Sequence, residues 1–208
     1  MHQEGYVYRL MVWITRLAYL NILWVLFSSL GLLVFGIFPA TTAMFAIERR
    51  WIRGNTSFSI LPYFWEVYKR EFKKANLIVL PFVLLSLLIY INLQFTLIMN
   101  EILGNILLLF LFSISFLLLL VLIYFFPVYV HYDIKLIQSM LFSFMIALSS
   151  PLQTILIIVN VLAFFIVSVF LPGIFFLFAG SVTSMITMWF AYRAIIGLEN
   201  RNERLVRQ

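Results

Sequence analysis

The sequence predicts an all-α fold: a polytopic membrane helix bundle of about five transmembrane helices, with one or two cytoplasmic or interfacial amphipathic helices. Three observations predict it. The 208 residues are 64% hydrophobic and only 11% charged, whereas a domain folded in water needs far more polar surface. Uncharged runs recur at or beyond the roughly 20 residues that cross a bilayer. The basic residues are gathered between these runs, as the positive-inside rule describes for cytoplasmic segments.

Residues 1–16 mix aromatic, apolar and basic side chains, and Tyr6, Tyr8 and Trp13 suit an interfacial lead-in. No charge follows from Leu17 to Ile47. This run is too long for the apolar core of a cleavable signal and lacks a small-x-small site, so it is expected to stay in the mature protein. The first span is read as 17–38. Gly36 and Pro39 then turn the chain, and residues 40–47 continue past a proline kink or form a short helix with Thr41 and Thr42 near its start.

The character changes over 48–74, which carries Arg49, Arg50, Arg53, Lys69, Arg70, Lys73 and Lys74, half of the 14 basic residues. The segment is therefore expected in the cytoplasm. Within it, 54–57 (GNTS) reads as a turn. Residues 62–74 read as an amphipathic helix with Phe64, Tyr68 and Phe72 on one stripe, and Glu66 stands four residues before Arg70. That stripe suits packing against the base of the bundle.

The further spans are read as 77–99, 105–126, 152–171 and 174–192, within a single transmembrane domain covering 1–208. Between the third and fourth, Leu136, Ile137, Met140, Leu141, Phe144 and Leu148 recur at helical spacing opposite Gln138, Ser139 and Ser143. This helix is expected at the inner interface or under the bundle. The tail 193–208 is cytoplasmic in this reading. Five spans then put the N-terminus outside and the C-terminus inside, leaving Arg9 and Arg16 on the less favourable face. A re-entrant first segment with the N-terminus inside is the alternative. A faint internal echo is also visible, since spans ending in Phe38-Pro39 and Phe126-Pro127 are each followed by a short helix and a span.

Chemistry is sparse. There are no cysteines, which excludes disulfides and thiolate metal sites, and the two histidines, His2 and His131, lie far apart. No cofactor or metal is expected. The charge of +6 is assigned to anionic lipid headgroups rather than nucleic acid, because it clusters at membrane edges. No nucleophile elbow, P-loop or dinucleotide fingerprint is present, so an enzyme is not expected. No Asp, Glu, Lys, Arg or His falls within 17–47, 75–100, 102–130 or 136–192, and Glu101 and Asp133 stand at span edges. That absence argues against an ion-coupled carrier, which needs a buried carboxylate.

Polar residues within spans, Asn21 and Ser184 among them, read first as interhelical hydrogen bonds. A transporter or channel, self-associating, would instead need Asn92, Gln94 and Asn160 to converge on one cavity. Arg49, Arg50 and Arg53, with Trp65, Lys69, Arg70 and Lys73, form a candidate docking surface for a partner or for anionic lipid.

The run 36–43 (GIFPATTA), followed by Arg49, Trp51 and Gly54 and later by Phe72-Lys73, resembles the YesL-like family of bacterial membrane proteins. Size and five-span layout fit as well, so the resemblance covers essentially the whole chain. It implies a plasma-membrane protein of a Gram-positive type with no assigned activity, found beside carbohydrate ABC importers and polysaccharide-degrading enzymes. The function it implies is a non-enzymatic accessory or scaffold contacting importer permease subunits. It supplies no catalytic residues, and the chain lacks the permease loop that seats an ATPase.

Overall fold

The computed structural model describes residues 5–96, 98–132 and 134–206. His2, Asp133 and Arg207 lie outside them. Seven helices run in order: α1 (Tyr6–Leu30), α2 (Ile37–Ile52), α3 (Ile60–Thr96), α4 (Glu101–Tyr132), α5 (Leu136–Ser149), α6 (Pro151–Phe170) and α7 (Pro172–Val206). Five of them, all but α2 and α5, are long and apolar enough to cross a membrane. The chain is a multi-pass membrane protein.

Several boundaries differ from the expected ones, each for a local reason. The interfacial lead-in is part of α1, because no breaker separates Tyr6 from Leu30. The first helix ends eight residues before Phe38, in a turn where Leu32 and Leu33 have φ of 56° and 60°. Pro39 does not kink a longer helix. It lies in the first turn of α2, where its missing N–H breaks no helical bond. The separate helix expected over 62–74 is the first half of α3, which continues unbroken into the span through Pro81.

The α1–α2 turn depends on two glycines in contact. A Cβ on Gly31 would stand 2.3 Å from the Gly36 Cα, and one on Gly36 would stand 2.3 Å from the Ser28 carbonyl oxygen. Beyond this turn α2 lies antiparallel to α1. The Trp24 indole N–H donates to Thr41 Oγ1 at 3.0 Å, and Trp13 meets Trp51 edge-on at 5.6 Å.

Although α2 is short, it is the centre of the bundle and touches α1, α3, α4 and α7. Ala40, Ala43 and Ile47 are completely buried. Small side chains are what permit this, because helices in lipid associate by close packing rather than by exclusion of water. On one side Phe27, Phe64, Val67 and Tyr68 pack against α2, which buries the aromatic stripe of α3. On the other, Phe38 joins Val79, Phe82, Phe125 and Tyr129.

Asn21 fastens α1 to α7. Its amide N–H donates to the Phe176 carbonyl at 2.9 Å, and its Oδ1 accepts from Gly180 N–H at 2.9 Å and Ser181 N–H at 3.2 Å. The hydroxyl of Ser184, one turn further along α7, reaches Glu48 of α2. Helix α7 therefore runs antiparallel to α1, and its C-terminal half lies at the end of the bundle where α1 begins. The helical chain thus begins and ends at the same end of the bundle, because α2 adds a short return that counting spans omits.

In α5 the serines face inward. Ser139 and Ser143 are completely buried while Ile137, Leu141 and Leu148 are exposed. Small hydroxyls, their hydrogen bonds turned back to their own helix, let α5 lie close on α4, and the apolar stripe is left for lipid.

Gly31→Ala and Gly36→Ala should each lower the thermal stability of the detergent-solubilised protein, by about 1–3 kcal/mol for overpacking. Gly197→Ala, where a Cβ meets nothing within 4 Å, should leave the melting temperature unchanged or higher.

Candidate anion-binding cavity

The last turns of α2 carry Arg49 and Arg50, cations placed where the carbonyl end of a helix favours them. The turn through Gly54, at φ 85°, sends the chain back. Helix α3 then returns along α2 and presents Tyr63, Val67, Arg70 and Glu71, a spacing that puts all four on one face. The C-terminal end of α4 closes the third side. The result is a cavity of about 290 Å³ lined by Arg49, Arg50, Arg53 and Arg70 with Thr42, Tyr63, Glu71 and Tyr129.

Arg49, Arg50 and Arg70 are each held in place. An Arg49 N–H donates to the Val130 carbonyl of α4. The Arg50 guanidinium lies over the Tyr63 ring at 3.7 Å and over Phe58 at 5.2 Å. Arg70 Nε pairs with Glu71 Oε1 at 2.8 Å. The other oxygen of that buried carboxylate accepts from Tyr129 O–H at 2.7 Å. Arg53 caps the end of α2 with its side chain exposed. Four guanidiniums thus line one cavity together with the carboxylate of Glu71, whose oxygens are both engaged. Guanidinium is planar, permanently charged and suited to bidentate contact, so the arrangement favours a phosphate or carboxylate group.

The opposite face of α2 holds Glu48, which is completely buried. Its Oε1 accepts from Ser184 Oγ at 2.5 Å, and Oε2 has no hydrogen-bond partner among the described residues. Helix α2 is not one of the five spanning helices, yet burial raises this carboxyl well above the usual carboxylate range, opposed in part by the Ser184 hydrogen bond. Glu48 and Glu71 together overturn the inference that the bundle lacks buried carboxyls. Counting both with a solvated loop hid them. Nearby, Glu199 of α7 accepts from Tyr132 O–H at 2.8 Å and ties α7 to the end of α4. Among the described residues no group of three His, Asp or Glu is placed to hold a metal.

Of the expected docking residues, Arg49, Arg50, Arg53 and Arg70 converge here. Trp65, Lys69 and Lys73 do not. Trp65 packs on Phe27 at 5.5 Å, with Lys69 Nζ 4.9 Å above its ring, and Lys73 is exposed outside the cavity. Gly36, Pro39 and Thr41 shape the α1–α2 hairpin, while Thr42 lines the cavity. The polar lining expected from Asn92, Gln94 and Asn160 does not form. The amides of Asn92 and Asn160 donate to carbonyls four residues earlier in their own helices, and Gln94 is exposed. Sequence reading missed Tyr63, Glu71 and Tyr129. The first two share a helical face with Arg70, a usable signal; Tyr129 is joined only by the fold.

Comparison with known proteins places the chain. Residues 17–93 match the family described as protein of unknown function, DUF624. The chain is 34% identical to uncharacterized protein YesL of Bacillus subtilis (strain 168) over 193 residues, 92% of this chain and 90% of YesL. The chain belongs to the YesL-like family. Two further proteins of that strain, both uncharacterized, are similar. YteU is 36% identical over 94% of this chain and 87% of its own length, and YesV 30% identical over 86% of each. No solved structure matches. In this YesL-like chain the family match takes in all of α2 and most of α3, hence every arginine of the cavity, but not Tyr129 of α4.

Glu48→Gln should retain the fold and the Ser184 hydrogen bond. Because the folded state raises the Glu48 pKa, its contribution to stability is present at low pH and is lost as pH rises above about 4.5, the ordinary value. Thermal melts across pH should therefore show wild type falling relative to Glu48→Gln above that point.

Proposed function

We propose that this YesL-like chain is a non-enzymatic protein of the bacterial plasma membrane that binds an anionic group in the arginine cavity. In this reading the cavity, the start of α1 and the end of α7 are cytoplasmic. The single observation that carries the binding reading is the gathering of Arg49, Arg50, Arg53 and Arg70 on the wall of one cavity. The orientation is supported by charge. Residues 31–36, 98–104 and 170–172, which lie at the other end of the bundle in and beside the helix connections, contain no lysine or arginine. An inside N-terminus also relieves the misplacement of Arg9 and Arg16.

Pyrophosphate, a compact polyanion, tests the binding reading. Titrated into the purified protein in neutral detergent, it should raise the melting temperature saturably. The rise should be lost in Arg50→Gln/Arg53→Gln, a variant that spares the structural Arg49–Val130 contact. No saturable rise, or an equal rise in the variant, contradicts the proposal.

A second reading has its own support. The exposed apolar stripe of α5, Ile137, Leu141, Met145 and Leu148, lies on a helix too short to span. With the family resemblance, it supports an accessory subunit docked on the permeases of a carbohydrate ABC importer. Stoichiometric co-purification of a permease pair in mild detergent would support this role, and recovery of the chain alone would contradict it.

A further inference from the structure

A second and larger cavity, of about 600 Å³, lies between α2, α4, α6 and α7 and shares no lining residue with the arginine cavity. It exists because α4 and α6 make almost no contact with each other, although each packs on α7. Leu119 of α4 and Leu162 and Phe165 of α6 line this gap with exposed side chains. Both helices are long and apolar enough to cross a membrane, so the cavity opens sideways to lipid. Along α7 its wall runs from Phe175 to Thr187, about 18 Å at the helical rise. That is close to the hydrocarbon depth of one leaflet, roughly 15 Å.

The wall changes character along that length. Beside the α6–α7 turn it is aromatic, with Phe165 and Phe175 at 6.0 Å. Further along α7 it carries a row of hydroxyls, Thr183, Ser184 and Thr187, on one helical face. Their protons are committed: Thr183 donates to the Ala179 carbonyl, Thr187 to the Thr183 carbonyl and Ser184 to Glu48. A hydroxyl that donates still accepts, so the row asks the ligand for a donor. No Asp, Glu, Lys, Arg or His lines the cavity among the described residues, so a phosphate or carboxylate would be desolvated there without a counter-charge. A cavity of roughly 150 Å³ takes one benzene, which leaves room here for a single long hydrocarbon chain. We propose that the cavity binds an uncharged, single-chain lipid alcohol, its hydroxyl donating to the Thr183 and Thr187 row and its chain running toward Phe165 and Phe175. An apolar enclosure with a few placed polar groups is the usual form of such a site. It does not depend on anion binding at the arginines.

The test compares oleyl alcohol, its methyl ether and oleate for binding to the full chain in phosphatidylcholine nanodiscs, at a pH that keeps oleate ionised. The alcohol should bind saturably and about fivefold more tightly than the ether, the worth of one hydrogen bond, and more tightly than oleate. Leu162→Trp fills the mouth from its exposed edge and should weaken alcohol and ether alike, at least tenfold. Thr183→Val/Thr187→Val should erase the difference between alcohol and ether and leave the ether's affinity unchanged, which a merely structural role of the threonines would not do. The comparison of alcohol with ether in the unaltered chain decides the matter should the valine chain fail to fold. Equal affinity for alcohol and ether overturns the hydroxyl site, and oleate binding as tightly as the alcohol overturns the uncharged ligand. Absence of saturable binding, or binding untouched by Leu162→Trp, overturns the proposal as a whole.

Discussion

A sixteen-residue helix that must touch four others at once needs its neighbours close, and the contact between Gly31 and Gly36 starts that closeness. With no room there for a single added methyl group, the chain reverses within a few residues, and Ala40 and Ala43 continue the tight fit down α2. In lipid the gain comes from van der Waals contact and from polar groups that find partners. The Trp24–Thr41 hydrogen bond and the three bonds of Asn21 serve the second need. Two leucines held at positive φ are the local cost, roughly 1–2 kcal/mol each.

Because α2 returns toward the end where α1 began, it delivers its arginines to the C-terminal end of α4 and the first half of α3. Helix packing and charge are thus one problem here. The Arg49–Val130, Arg50–Tyr63 and Arg70–Glu71–Tyr129 contacts each join two neighbouring residues or helices at that end. They hold guanidiniums in fixed positions, which lowers the entropy lost when an anion arrives. The carboxyl of Glu48 sits one residue from Arg49 but faces α7, so the two sides of α2 differ sharply in character.

Much of this was legible before any coordinates. Uncharged runs mark the five long helices, and the density of arginine after Ile47 marks the cavity's main wall. What escaped has a common cause. A short helix over 40–47 is one of the two expected alternatives, but a helix with neither the length of a span nor a polar face gives no sign that it extends through Ile52 at the centre of the bundle. Glu48 and Glu71 looked solvated for the same reason. Tyr129 could not be tied to Glu71 without the fold, since 58 positions separate them. Conversely, Asn92, Gln94 and Asn160 looked functional only because polar residues in apolar spans attract notice; own-helix carbonyls satisfy two of them.

In the proposed orientation, the return made by α2 brings both ends of the helical chain to one side of the membrane. The protein contains no cysteine, so single cysteines at Tyr8, Ile98 and Gly197 can be labelled with a membrane-impermeant maleimide in intact cells. The account predicts that Ile98→Cys reacts from outside, while Tyr8→Cys and Gly197→Cys react only after the membrane is opened. Labelling of Tyr8→Cys and Gly197→Cys from opposite sides would contradict it.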